Sequence, residues 1–277
     1  MDLKHMSKTN TPLILEPEQL ASLLGEKNLL IIDLSDLDTH RAYHVPGAIH
    51  LAYDLLCQEL PSTAGKLPDN APLSQTLNQI GLTPKHHVIA YDSGDNSQAC
   101  RLLWSLDLIG HSHYSLLNGG LSAWLDERHP TEDGITEIKP GSQTFTYQAD
   151  APSVDLLYLL QHLDDKNIQI VDARSAEEFS GQENRAQRGG HIPKAINLDH
   201  RRLISPEHSM RLKPEEELNK IFKELKLKPK VETICHCHTH RRSALLYIAL
   251  KSLGFSKLKA YPGSWAEWGD NLDTPIE

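Results

Sequence analysis

The sequence predicts an α/β protein of two similar halves, each a mostly parallel central sheet flanked by helices. Three observations carry this reading. The chain repeats itself: IIDL at 31–34 returns as IVDA at 170–173, HVPGAIHL at 44–51 as HIPKAINL at 191–198, and GGLSAW at 119–124 as GSWAEW at 263–268. The copies keep a nearly constant spacing: Asp172 follows Asp33 by 139 residues, His191 follows His44 by 147, and Trp268 follows Trp124 by 144. Within each copy, short apolar runs that read as buried strands alternate with segments of helical period, the grammar of a parallel sheet with crossover helices.

The elements follow in the same order twice. EPEQLASLL at 16–24 and SVDLLYLLQHL at 153–163 have helical spacing. A short apolar run ending in Asp33 or Asp172 reads as the first buried strand, then a polar loop, then the H-x-P-x-A-I turn and strand. A helix precedes the second strand, VIAY at 88–91 or TICH at 233–236. A helix follows at once (LLWSLDLIG at 102–110, LLYIALKSLG at 245–254), then a third strand, YSLL or KLKAY, and a glycine turn into a Trp-containing helix. Matches in one order throughout argue for a duplicated domain. Residues 128–152, with Pro, Gly and little periodicity, read as a linker between a first domain, 1–127, and a second, 153–277.

Composition narrows the function. The 277-residue chain carries a net charge of −9, which gives no basic field to draw nucleic acid. No apolar run approaches the ~18 residues of a spanning helix, and MDLKHMSKTNTP at the start has no apolar signal core. The expectation is a cytoplasmic protein with no membrane partner. Four cysteines (Cys57, Cys100, Cys235 and Cys237) are too few for a disulfide scaffold and are expected to be reduced.

The chemistry concentrates in TICHCHTHRRSA, residues 233–244. The internal repeat says which cysteine matters. VIAYD at 88–92 aligns with TICHC at 233–237, so Ala90 stands at the place of Cys235 and Asp92 at that of Cys237. Cys235 is expected to be a buried strand residue packing as a small hydrophobe. Cys237 falls where the strand ends and a loop leads into a helix. There, backbone N–H groups and the helix N-terminus favour negative charge. Arg241, Arg242 and a protonated His240 would add full charges and favour a thiolate. A metal site is the rival reading, since Cys235, His236, Cys237, His238 and His240 are all competent ligands. Their spacing argues against it, because alternate strand residues face opposite sides.

Both halves resemble rhodanese domains, and the whole chain from about residue 12 onward resembles a tandem-domain sulfurtransferase. The loop Cys237-His-Thr-His-Arg-Arg-Ser243 is similar to the rhodanese active-site loop, most of all the bacterial variety with Cys-x-Thr-His-x-Arg-Ser. It lacks the Lys and Gly of animal thiosulfate sulfurtransferases and the Gly-Ser-Gly of mercaptopyruvate sulfurtransferases, which leaves the donor open. The resemblance implies covalent catalysis: Cys237 takes the outer sulfur of thiosulfate or a similar small-molecule donor, holds it as a persulfide, and yields it to a thiophile such as cyanide or a thiol. It implies that His238, Thr239, His240, Arg241, Arg242 and Ser243 surround the donor, with Arg242, Arg241 and His240 holding its charge. Asp172 and Arg174 carry the family's Asp-x-Arg signature and would brace the rim. Trp265 would pack in the core or wall the pocket. Some relatives have an arginine four residues after Arg174; here Glu178 stands there, so one anion contact would be missing and the cationic work would fall on the loop. The first domain, with Asp92 for cysteine, would be non-catalytic. No cofactor or metal is implied, and a monomer is expected because tandem domains already bury an interface. The alternatives are a 3-mercaptopyruvate sulfurtransferase, a carrier passing sulfur to a protein acceptor, and a rhodanese-like phosphatase. The phosphatase loop is one residue longer, and fits here only if counted from Cys235.

Overall fold

The structure is a computed structural model that describes residues 11–58 and 64–277. The first half runs β1 (Ile14–Leu15), α1 (Pro17–Leu23), β2 (Leu29–Asp33), α2 (Leu37–Ala42), β3 (Ile49–His50), α3 (Asn70–Gln79), β4 (His87–Tyr91), α4 (Ser97–Leu108), β5 (Tyr114–Leu117) and α5 (Gly120–Asp126). The second runs α6 (Leu156–His162), β6 (Ile168–Asp172), α7 (Ala176–Phe179), β7 (Ile196–Asn197), β8 (Ile204–Ser205), β9 (Arg211–Leu212), α8 (Glu215–Glu224), β10 (Glu232–His236), α9 (Arg242–Ser252), β11 (Leu258–Ala260) and α10 (Ser264–Trp268).

Each half is the predicted parallel sheet. The strand orders are β1-β5-β4-β2-β3 and β11-β10-β6-β7, and every pairing within them is parallel. The duplication holds at the level of register: Asp33 pairs with Tyr91 as Asp172 pairs with His236. Where the first half has β1 on its edge, the second has a single parallel bridge, Ser153 to Ala260.

Two loops read as irregular contain short helices. Asp36 caps α2 through the Thr39 N–H at 2.9 Å, and Ser175 with Glu178 forms a capping box on α7. The antiparallel pair β8–β9 also lies outside what the sequence pattern predicts. Its strands are two residues long, below what a period-2 pattern can reveal, and they are held by the first half: Leu212 N–H donates to the Asn118 side chain at 2.8 Å. The 128–152 stretch has no helix and no extended strand, yet it is tied down. Glu132 bridges to His44, the Asn78 amide pairs with the backbone of Gln143, and the Ser74 hydroxyl with that of Phe145. Side chains stand in for the backbone partners that a sheet would supply.

α4 and α9 are apolar nearly all round, as fits helices buried on all sides. They pack against each other at the centre, so one hydrophobic core runs through both halves. Among the described residues no helix is long and apolar enough to cross a membrane.

Candidate active site

β10 lies between β6 and β11, with Cys235 level with Val171 on one side and Ala260 on the other. Cys235 is wholly buried, and burial pushes its thiol far up. The strand thus contains Cys235, and the count that would make it a phosphatase nucleophile has no loop to start from.

Cys237 is the first residue beyond the strand, at the C-terminal edge of the sheet, with five residues to the first turn of α9 at Arg242. It is only 1% exposed. Burial raises its thiol pKa, but the Arg242 guanidinium, the Ser243 hydroxyl and the N–H groups of Ser243 and Thr239 outweigh burial and hold it below the ordinary thiol value. The turn is closed from behind: the N–H groups of Trp265 and Ala266 donate to the carbonyls of Cys237 and His238, both at 3.0 Å.

The first half shows what this loop geometry selects. Asp92 is buried at the corresponding point, and its carboxylate accepts the N–H groups of Gly94, Asn96, Gln98 and Ala99 at 2.8–3.0 Å. Gly94 and Gln98 correspond in the repeat to Thr239 and Ser243. A carboxyl group therefore stands in the first half where the Cys237 sulfur stands in the second, and burial raises its pKa to about 6.

The loop histidines are not cations. His240 is fully buried, with left-handed φ of 56°, and burial followed by the nearby Arg101 charge holds its pKa well below 6.5. Its Nδ1 is 2.7 Å from the Ser243 hydroxyl oxygen. His238 is likewise held low, by burial and by Arg242. The expectation of a protonated His240 is therefore corrected. Arg241 caps α9 with its side chain in solvent, and forms no ion pair among the described residues.

Arg242 is bound by a carboxylate. Glu178 grips it through both oxygens, at 2.5 and 2.9 Å, and Arg185 stands 3.7 Å from the same group. Burial would raise Glu178; the Arg242 guanidinium holds it down at about 2. The position that looked like a missing anion contact is thus a contact of opposite sign, which offsets the charge the loop was expected to offer.

Asp172 and Arg174 form a buried pair, with Arg174 Nε and Nη2 on Asp172 Oδ2 at 2.9 and 2.6 Å. Arg174 also donates to the carbonyls of Glu178 and Gly190, and its guanidinium lies 4.3 Å from the ring centre of Trp265. Trp265 is buried and donates to the Arg188 carbonyl. Arg174 thus ties down the helix that bears Glu178, and Trp265 packs on the Arg174 guanidinium.

Sequence reasoning missed what the first half brings. Arg101 on α4 reaches the Thr239 carbonyl at 3.3 Å, Trp104 meets the His240 ring edge-on at 4.3 Å, and Lys66 pairs with Glu267 at 2.5 Å. One signal was there: a single arginine inside the apolar run ACRLLWSL. No three His, Cys, Asp or Glu side chains among the described residues converge as metal ligands do.

A duplicated parallel sheet with a cysteine at the C-terminal edge of the second copy defines the class, a tandem-domain α/β protein, and comparison with known proteins says which. Residues 16–127 and 155–271 each match the Rhodanese-like domain, and the chain belongs to that family as a tandem member. It is 34% identical over 269 residues to the thiosulfate sulfurtransferase of Pseudomonas aeruginosa, covering 97% of this chain and 98% of the relative. It is 30% identical over 239 residues to the 3-mercaptopyruvate sulfurtransferase of Escherichia coli, covering 84% and 83%. Among solved structures, the SseA 3-mercaptopyruvate sulfotransferase of Escherichia coli superposes with a TM-score of 0.82 at 26% identity, over 92% of this chain and 99% of that one. The anaerobic ergothioneine biosynthesis enzyme of Chlorobium limicola shares the fold, with a TM-score of 0.85 at 19% identity over 96% and 70%.

Proposed function

We propose that the protein is a sulfurtransferase that moves sulfane sulfur from thiosulfate, or a similar small donor, to a thiophilic acceptor through a persulfide on Cys237. The observation that carries this is the place of Cys237 at the C-terminal edge of the sheet, between β10 and the first turn of α9, where Arg242, the Ser243 hydroxyl and two N–H groups hold its thiol below the ordinary value against burial. In the first step the thiolate attacks the outer sulfur of thiosulfate; the S–S bond breaks and sulfite leaves with the electron pair. In the second, cyanide or a thiol attacks the terminal sulfur, and the electron pair returns to Cys237. The N–H groups of Thr239 and Ser243 stabilise the anion in both resting forms. His240 holds the Ser243 hydroxyl in place, and His238, Arg241 and Arg242 line the donor's approach. Asp172, Arg174 and Trp265 brace Glu178 and through it Arg242. The first domain, 1–127, is non-catalytic and is joined by the 128–152 linker to the catalytic domain, 153–277. The continuous core between them supports a monomer, and the free thiols fit a reducing, cytoplasmic setting.

A second donor has support: the similarity to 3-mercaptopyruvate sulfurtransferases over most of the chain. A protein could equally be the acceptor, through the same persulfide. Intact mass spectrometry after incubation with thiosulfate is expected to show a gain of one sulfur, about 32 Da, on the Cys237 peptide, removed by cyanide. Cys237→Ser should abolish the gain and Cys235→Ser should keep it. Equal loss in both would refute the assignment, and a gain only with mercaptopyruvate would select the second donor.

A further inference from the structure

α4 is a buried apolar helix with one charge in its middle. Arg101 is 0% exposed, although a leucine there would build the same helix without the cost of burying a guanidinium. What the arginine does is donate to carbonyls. Its Nη2 reaches the Leu56 and Gly65 carbonyls at 3.2 and 2.8 Å, and its Nη1 reaches across to the Thr239 carbonyl at 3.3 Å. The first two belong to its own half; the third belongs to the cysteine loop of the other.

The Thr239 N–H is one of the backbone groups that hold the Cys237 thiol below its ordinary value. The carbonyl of the same residue is the one that Arg101 grips. The next residue, His240, takes a left-handed φ of 56°, a conformation that costs a non-glycine residue energy and persists only where its surroundings hold it. Those surroundings come from the first half as well: Trp104, one helical turn after Arg101, packs on the His240 ring, and the Arg101 guanidinium lies 4.9 Å from the Trp104 ring centre. Gly65 closes over the same carbonyl so tightly that a Cβ there would come within 2.5 Å of the Thr239 oxygen, at a φ of 82°.

We propose that Arg101 is a positioning residue: the half without a nucleophile holds the Thr239 carbonyl, and so keeps the Thr239 N–H trained on the Cys237 sulfur. The inference rests on the Cys237 reading above and adds a role for the first domain, which becomes part of the active-site machinery.

The test is the rate at which iodoacetamide alkylates Cys237 across pH, in the full chain, with Cys57, Cys100 and Cys235 separated by peptide mapping. Arg101→Gln is expected to slow alkylation about tenfold near neutral pH and to match wild type at high pH, because losing one N–H contact makes the thiolate harder to form. Arg101→Lys, which can still donate to the carbonyl, should recover most of the rate. Gly65→Ala, which displaces the same carbonyl and removes no charged group, should shift the profile in the same direction. An Arg101→Gln protein that melts like wild type with an unchanged profile overturns the proposal. If that variant fails to fold, an unchanged profile in Gly65→Ala overturns it. Alkylation needs no sulfur donor, so a wild-type protein that gains no sulfur would sink the sulfurtransferase reading and leave this one standing or falling by its own result.

Discussion

At the scale of single residues, the site turns on which charges are free. Arg242 lowers the Cys237 pKa, but Glu178 holds it through two hydrogen bonds. Removing the Glu178 charge would leave Arg242 to the donor anion alone. We expect Glu178→Gln to lower KM for thiosulfate about three- to tenfold, an effect of about 1 kcal/mol for one partly screened charge pair. Steady-state kinetics at low and high salt would check this; a raised KM at both would mean that Glu178 serves mainly to aim Arg242. The nucleophile we propose was legible from the repeat, because Asp92 and Cys237 share a position. The pairing of Arg242 was not, because Glu178 lies 64 residues earlier and meets it only in three dimensions.

At the scale of elements, the strand–loop–helix turn is an anion cradle in both halves. Four N–H groups receive Asp92, and two with a hydroxyl receive Cys237. What differs is the charge beside it: Ser97 stands in the first half where Arg242 stands in the second, and Asp95 where His240 stands. The cradle alone should not make a reactive thiol. Asp92→Cys, placed in a Cys237→Ser background, is expected to alkylate no faster than an ordinary buried thiol and to gain no sulfur from thiosulfate. A fast reaction at position 92 would show that backbone donors suffice without the guanidinium. The strands and helices that build the turn were readable from period and repeat. The short helices α2 and α7 announced themselves only through their caps, Asp36 and Ser175, inside stretches whose polarity reads as loop.

At the scale of the whole molecule, the halves are coupled by charge as well as by core. His200 of the second half sits 3.1 Å from Asp95 of the first and 3.2 Å from Asp199. Burial opposes its charge, but the carboxylates on either side raise it to about 9. A histidine whose pKa is raised on folding stabilises the fold fully below its unfolded value of about 6.5, and that contribution drains away as pH climbs to about 9. The carboxylates, depressed on folding, lose theirs only as pH falls below their unfolded values near 3.8. His200→Gln should therefore cost on the order of 2 kcal/mol at about pH 6 and little at about pH 9.5, read from urea unfolding. Equal losses at both would mean that packing, not the ion pair, is what His200 supplies.

The sequence alone determined the duplicated α/β architecture and the sulfurtransferase resemblance, and it supplied the ground for proposing Cys237 over Cys235. All three rest on local period or on comparing one half with the other, and both are written along the chain. Only the tertiary structure decided the charges. Burial beside Arg101 keeps His240 neutral, Glu178 occupies Arg242, solvent claims Arg241, and α4 of the first half reaches the loop of the second. Protonation and pairing depend on distance and dielectric between residues far apart in sequence, and folding alone sets both.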